Sequence, residues 1–158
     1  MCASGKSTLA FQLADKFNSR IIHMDDFYEP RGRIDLSTSV NGNINLERFK
    51  NEIVSRLNES ELTYNVFSCT EQKKVSSSIL KKCDLTIVEG SYSTNPYFKK
   101  YYNFAIFLEI SKKVQENRIK SRNFQNFQDF LNKWVVLENR YFEFYDIKSK
   151  SDFVIEND

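Results

Sequence analysis

The chain has 158 residues, with 23 basic and 21 acidic side chains, a net charge of +2 at pH 7, and 41% hydrophobic and 15% aromatic content. That composition describes a globular chain with a core of its own, most simply a single domain spanning residues 1–158, rather than a disordered one. The near-balance of charge gives no support for a nucleic-acid partner. Three cysteines, at positions 2, 69 and 83, are too few and too scattered for a disulfide framework or a zinc site. No apolar run approaches the ~20 residues that a membrane span requires, and there is no secretory signal pattern. The expectation is a cytoplasmic protein with reduced thiols and no membrane partner.

In chain order, the first ten residues, MCASGKSTLA, contain Gly5-Lys6-Ser7-Thr8. This is the second half of the phosphate-loop pattern G-x-x-x-x-G-K-[ST], whose first glycine would fall one residue before Met1. Leu9, Ala10, Leu13, Ala14 and Phe17 recur at helical spacing and predict a helix over 7–18. RIIHM at 20–24 predicts a buried strand that ends in Asp25 and Asp26. A polar loop follows over 29–43, and Leu46, Phe49, Ile53 and Leu57 predict a second amphipathic helix. A strand is expected over 63–68, and a short helix or turn over 76–82. LTIV at 85–88 predicts a strand that runs directly into Glu89-Gly90. Another strand is expected over 103–110, with Ser111 as a helix cap and the helix running to about Arg122. A long helix is expected over 127–145, with Phe130, Trp134, Leu137 and Tyr141 on one stripe, and a last strand over 152–156.

Apolar strands alternating with helices imply an α/β fold whose parallel sheet is covered on both faces. Ligands in such folds bind beyond the carboxyl ends of the strands, where Asp25, Asp26 and Glu89 fall. Gly5 lets backbone approach a phosphate, and Lys6 would reach the β- and γ-phosphates. The Ser7 hydroxyl would ligate Mg²⁺. A carboxylate after RIIHM can serve as general base toward an acceptor hydroxyl or hold metal-bound water, while Phe27 and Tyr28 could wall an acceptor pocket. His23 reads as structural. Arg118 and Arg122, four apart on a helix, could clamp a phosphoryl group, although spacing alone favours a solvated face that also carries Lys120. The aromatic stripe reads as core, and Glu138 beside it has no assignable chemistry.

Five segments in this order resemble the uridine kinase family of P-loop nucleoside kinases, in particular its compact bacterial uridine-kinase-like branch. CASGKSTLA is similar to the family's Walker A segment, and HMDDFY to its Asp-x-Phe-Tyr acceptor motif. VEGSYSTNP, NRIKSRN and KWVVLENRYF resemble the branch's Glu-Gly-Ser-Tyr stretch, its arginine-bearing lid and its Trp-x-x-x-Glu-x-x-Tyr-Phe helix. The resemblance implies a three-layer α/β/α P-loop kinase fold with a mostly parallel sheet, ATP and Mg²⁺ as cofactors, and a nucleoside 5′-hydroxyl as acceptor. It places ATP on Ala3, Ser4, Gly5, Lys6, Ser7 and Thr8, and Mg²⁺ on Ser7 and Glu89. Asp25 becomes the acceptor-activating base, with Phe27, Tyr28, Asn45, Tyr64 and Tyr92 on the nucleoside side. Arg118 and Arg122 become lid arginines in a lid over about 112–127. A homo-oligomer is compatible with this reading.

Two departures from the family stand out. Asn45 occupies a position where the family commonly has an acid that holds ribose hydroxyls. The family's first strand, central and buried, has no counterpart before Gly5, so the expectation is that Met1 is an internal position of a longer kinase. Two other functions fit the same residues. One is a nucleotide-binding protein without kinase activity, and the other is a kinase of this fold that acts on another hydroxyl, such as pantothenate or a sugar.

Overall fold

A computed structural model describes residues 1–122 and 124–158. In chain order the elements are α1 (Lys6–Lys16), β1 (Ser19–His23), α2 (Leu46–Glu52), β2 (Glu61–Ser68), β3 (Lys73–Lys81), β4 (Leu85–Glu89), β5 (Ile106–Glu109) and α3 (Lys112–Arg122). The chain continues through α4 (Phe127–Asp129), a π-helical stretch (Phe130–Val135), α5 (Val136–Tyr145) and β6 (Phe153–Glu156). Two compact units result. The first comprises 1–6, 40–42 and 94–158, and the second 7–39 and 43–93.

In the second unit β1 and β4 pair in parallel, with Ser19 opposite Leu85 and His23 opposite Glu89. The register brings the ionisable residues that end both strands, His23 and Glu89, level with one another. Ile22 and Met24 are fully buried, and with Phe27, Phe49, Ile53 and Leu62 they make this unit's core. The β2–β3 hairpin is antiparallel, with a register shift between Val66 and Phe67. Here the expected helix or turn over 76–82 gives way to strand β3. Its residues are mostly exposed, so the apolar alternation that marks a half-buried strand is absent from KKVSSSILK. The strand is held by backbone pairing to β2 instead.

In the first unit β5 and β6 are parallel, with Ile106 opposite Phe153 and Glu109 opposite Glu156. Phe98, Phe107, Leu108, Ile119, Leu137 and the fully buried Tyr141 form its core. The single helix expected over 127–145 is broken in character by the π-helical turn at Phe130–Val135, after which α5 ends on Asp146 in the left-handed conformation. Position 123, inside the expected lid, lies outside the described residues. No helix among the described residues is long and apolar enough to cross a membrane.

The turn after β4 depends on Gly90, whose φ is +136° and whose missing Cβ would lie 2.7 Å from the Cβ of Met24. Gly90→Ala meets both a backbone conformation that side chains avoid and a wholly buried neighbour. A loss of about 3 kcal/mol is expected from strain plus overpacking, readable as a lower urea midpoint at unchanged m-value.

Candidate active site

Of the expected phosphate loop, residues 3–6 lie in the first unit and Ser7 and Thr8 in the second. Ala3 and Gly5 have φ of +56° and +90°, so left-handed residues occur at alternate positions. Alternation of this kind turns successive N–H groups toward one side and makes an anion-binding nest. α1 begins at Lys6, and the N–H groups of its first turn have no intrahelical partner. The φ of Gly5 disfavours any residue with a side chain, and a Cβ there would lie 2.7 Å from Asn157 Nδ2, which would have to move. Ser4 is fully buried and its hydroxyl donates to the Met1 carbonyl at 2.7 Å. Lys6 Nζ donates to the same carbonyl at 2.6 Å.

Other side chains of this unit hold the loop's backbone. Arg118 Nη1 donates to the Ala3 carbonyl at 3.4 Å, which brings one of the two expected arginines to the loop. Arg122 is exposed in the last turn of α3. Sequence reasoning missed three further contacts. The Cys2 N–H donates to Glu138 Oε2 at 2.5 Å, Gln115 Nε2 donates to the Cys2 carbonyl at 2.9 Å, and Asn157 Nδ2 donates to the Ser4 carbonyl at 2.7 Å. None was legible, because each joins loop and partner across more than a hundred residues.

The acidic strand ends lie in the second unit. Glu89 Oε1 is 2.5 Å from His23 Nδ1, and Glu89 Oε2 accepts from Ser7 Oγ at 3.2 Å. The hydroxyl and the carboxylate expected to share Mg²⁺ are therefore in contact. Both offer hard oxygen donors, and a site of one or two protein oxygens completed by phosphates and water is what this ion favours. The residues fit the ion. No group of three or more metal-ligating side chains occurs among the described residues.

His23 is thus engaged with the candidate metal carboxylate. The hydrogen bond to Glu89 holds its imidazolium above the ordinary histidine range, with burial opposing and Asp25 and Asp26 adding to the rise. A pKa raised on folding stabilises the native state below the unfolded value, near 6.5, and that contribution is lost as pH rises through the folded value. Stability is expected to fall on going from pH 6 to pH 8. Urea titrations of His23→Gln should show a flatter profile across that window, and an unchanged slope would contradict the assignment.

Beyond β1 the chain makes a tight turn over Met24–Phe27. Asp25 is exposed on it, whereas Asp26 is half-buried and accepts from the Tyr64 hydroxyl at 3.2 Å. Burial raises the Asp26 carboxyl above its usual range, and the Tyr64 hydrogen bond, His23 and Arg48 pull against that rise. Burial likewise pushes Tyr64 up to about 12. Arg48, from α2, donates through Nη2 to the Asp26 carbonyl at 2.5 Å and lies 4.6 Å from the Phe27 ring centroid. Phe27 stacks on Tyr64 with centroids 5.3 Å apart. Phe27, Tyr64 and Tyr92 are all buried, while Tyr28 is half-buried and bridges to Ile44. Asn45 caps α2, accepting from the Arg48 N–H at 2.7 Å, and its amide donates to Glu29. Thr8 is exposed in the first turn of α1.

Solved structures share this arrangement of elements. A possible uridine kinase from Bacillus stearothermophilus aligns with a TM-score of 0.72 at 20% identity, covering 96% of this chain and 82% of that one. The fold is that of a P-loop kinase. A second structure, of a candidate fructose transport system kinase from Silicibacter sp. TM1040, aligns with a TM-score of 0.66 at 17% identity. That alignment covers 96% of this chain and 84% of the other. No family model and no curated protein matches the chain.

Proposed function

We propose that this chain is a kinase that transfers the γ-phosphoryl group of ATP to the 5′-hydroxyl of a nucleoside in the cytoplasm. The observation that carries the reading is the Ser7–Glu89 contact at 3.2 Å, which joins the hydroxyl of the GKST segment to the acid at the end of β4. In this scheme Mg²⁺, when bound, neutralises phosphate charge, and Ser7 and Glu89 are the residues that would hold it. Gly5 and the first turn of α1 give backbone N–H groups to the phosphates, and Lys6 adds a positive charge there. Asp25, exposed on its turn, takes the proton of the acceptor hydroxyl, while Tyr28 and the buried Phe27–Tyr64 stack shape the acceptor side. Arg118 and Arg122 supply charge over the transferred group.

One observation favours a second reading, a kinase for a different small hydroxyl substrate. Both functional groups of Asn45 are occupied, by the α2 cap and by Glu29, which leaves this side chain committed to structure. The test is release of ADP from ATP with uridine, fructose or pantothenate as acceptor, against an acceptor-free control. Uridine is expected to give the largest stimulation. Stimulation by fructose or pantothenate in place of uridine selects the second reading, and no stimulation by any acceptor in a protein that binds MgATP marks a nucleotide-binding protein without kinase activity.

A further inference from the structure

Glu138 stands outside the scheme above, yet it is 4% exposed and its carboxylate accepts from a backbone N–H at the start of the expected phosphate loop. Burying a carboxylate is costly unless it is well bonded. An acid near a loop that receives phosphates is a further electrostatic cost. Its partner group gives the reason for its presence. Glu138 holds the N–H of Cys2 from α5, and Gln115, 3% exposed on α3, holds the carbonyl of the same residue. Cys2 is gripped from both ends, immediately before Ala3.

Ala3 is the residue that needs gripping. It is one of three residues other than glycine with positive φ among the described residues, and nothing in its own chemistry favours that state. Strained backbone persists only where its surroundings over-determine it. Here the Ala3 carbonyl is held by Arg118 at 3.4 Å, the Ser4 carbonyl by Asn157 at 2.7 Å, and the Ala3 methyl packs against Ile119 and Val135. We infer that Glu138, together with Gln115, is a positioning residue that forces Ala3 into the left-handed conformation and so sets the phosphate-binding nest before ATP arrives. The inference rests on the reading of this loop as the MgATP site. It gives the glutamate of the aromatic helix a role that the stripe itself does not explain.

Equilibrium binding of MgATP to the full chain tests it. Glu138→Ala leaves the Cys2 N–H without its partner and is expected to raise the MgATP Kd about tenfold, whereas Glu138→Gln, which keeps an acceptor oxygen, recovers most of that loss. Gln115→Ala, acting from a different helix, is expected to weaken binding in the same way, which covers the case of a Glu138 variant that does not fold. The decisive variant adds Ala3→Gly to Glu138→Ala. Glycine adopts positive φ without strain, so several-fold recovery of MgATP affinity is expected with no recovery of melting temperature. A merely structural Glu138 would give no such split. Wild-type affinity in both Glu138→Ala and Gln115→Ala, or no recovery on adding Ala3→Gly, overturns the inference. Failure of the wild-type chain to bind MgATP overturns the reading of the loop instead.

Discussion

Lys6→Ala is expected to lower kcat for phosphoryl transfer by about 10²–10³-fold, the scale of losing one preorganised charge donor, with little change in melting temperature. The small stability effect follows from what the side chain touches. Its Nζ meets the Met1 carbonyl at 2.6 Å, and that carbonyl also accepts from the Ser4 hydroxyl at 2.7 Å, so removing the ammonium orphans no buried acceptor. The large kinetic effect follows from position, since Lys6 opens α1 directly behind the left-handed Gly5. Rates measured at saturating ATP and acceptor decide the matter. A variant that keeps more than a tenth of wild-type kcat would remove Lys6 from the reaction.

Asp25→Asn is expected to reduce kcat by about 10²–10⁴-fold, the usual contribution of a general base, while Asp26→Asn does far less to the chemical step. The two neighbours differ by environment. Asp25 is exposed on the turn and accessible to a substrate. Asp26 is half-buried and accepts from the Tyr64 hydroxyl, a fixed environment that suits a carboxyl holding the turn. Comparing the single-turnover rates of the two variants is the check. Near wild-type rates for Asp25→Asn, or the larger loss in Asp26→Asn, would move the base to the other aspartate.

The strand ends were legible because apolar runs and acidic termini coincide in sequence. RIIHMDD and LTIVEG announce β1 and β4, and their parallel register sets His23 opposite Glu89. Helix α1 was legible from its spacing, although Phe11 and Phe17 remain exposed. β3 was not, because a strand that lies on the surface and pairs through its backbone carries serines and lysines where a pattern would need apolar residues. The π-helical turn at 130–135 leaves no mark in composition either, since it alters the hydrogen-bond ladder and not the residues. Lys6, Ser7, Asp25 and Glu89 could be named as candidates from sequence, whereas the side chains that contact them and their neighbours could not. His23 lies inside an apolar run and read as structural, but its Nδ1 meets the carboxylate of Glu89. Arg48 carries no signal in the sequence and is a buried tie to the Asp26 carbonyl. Glu138 contacts a residue 136 positions away, a pairing no local pattern can carry.

Calorimetric titration of MgATP into the wild-type chain and into Lys6→Ala addresses the phosphate loop itself, without regard to the acceptor. One saturable site per wild-type chain, with affinity lost or much reduced in a Lys6→Ala protein of unchanged melting temperature, is the expected result. No binding by the wild type, or equal binding by both, would contradict the assignment of Ala3–Lys6 and α1 as a working phosphate site.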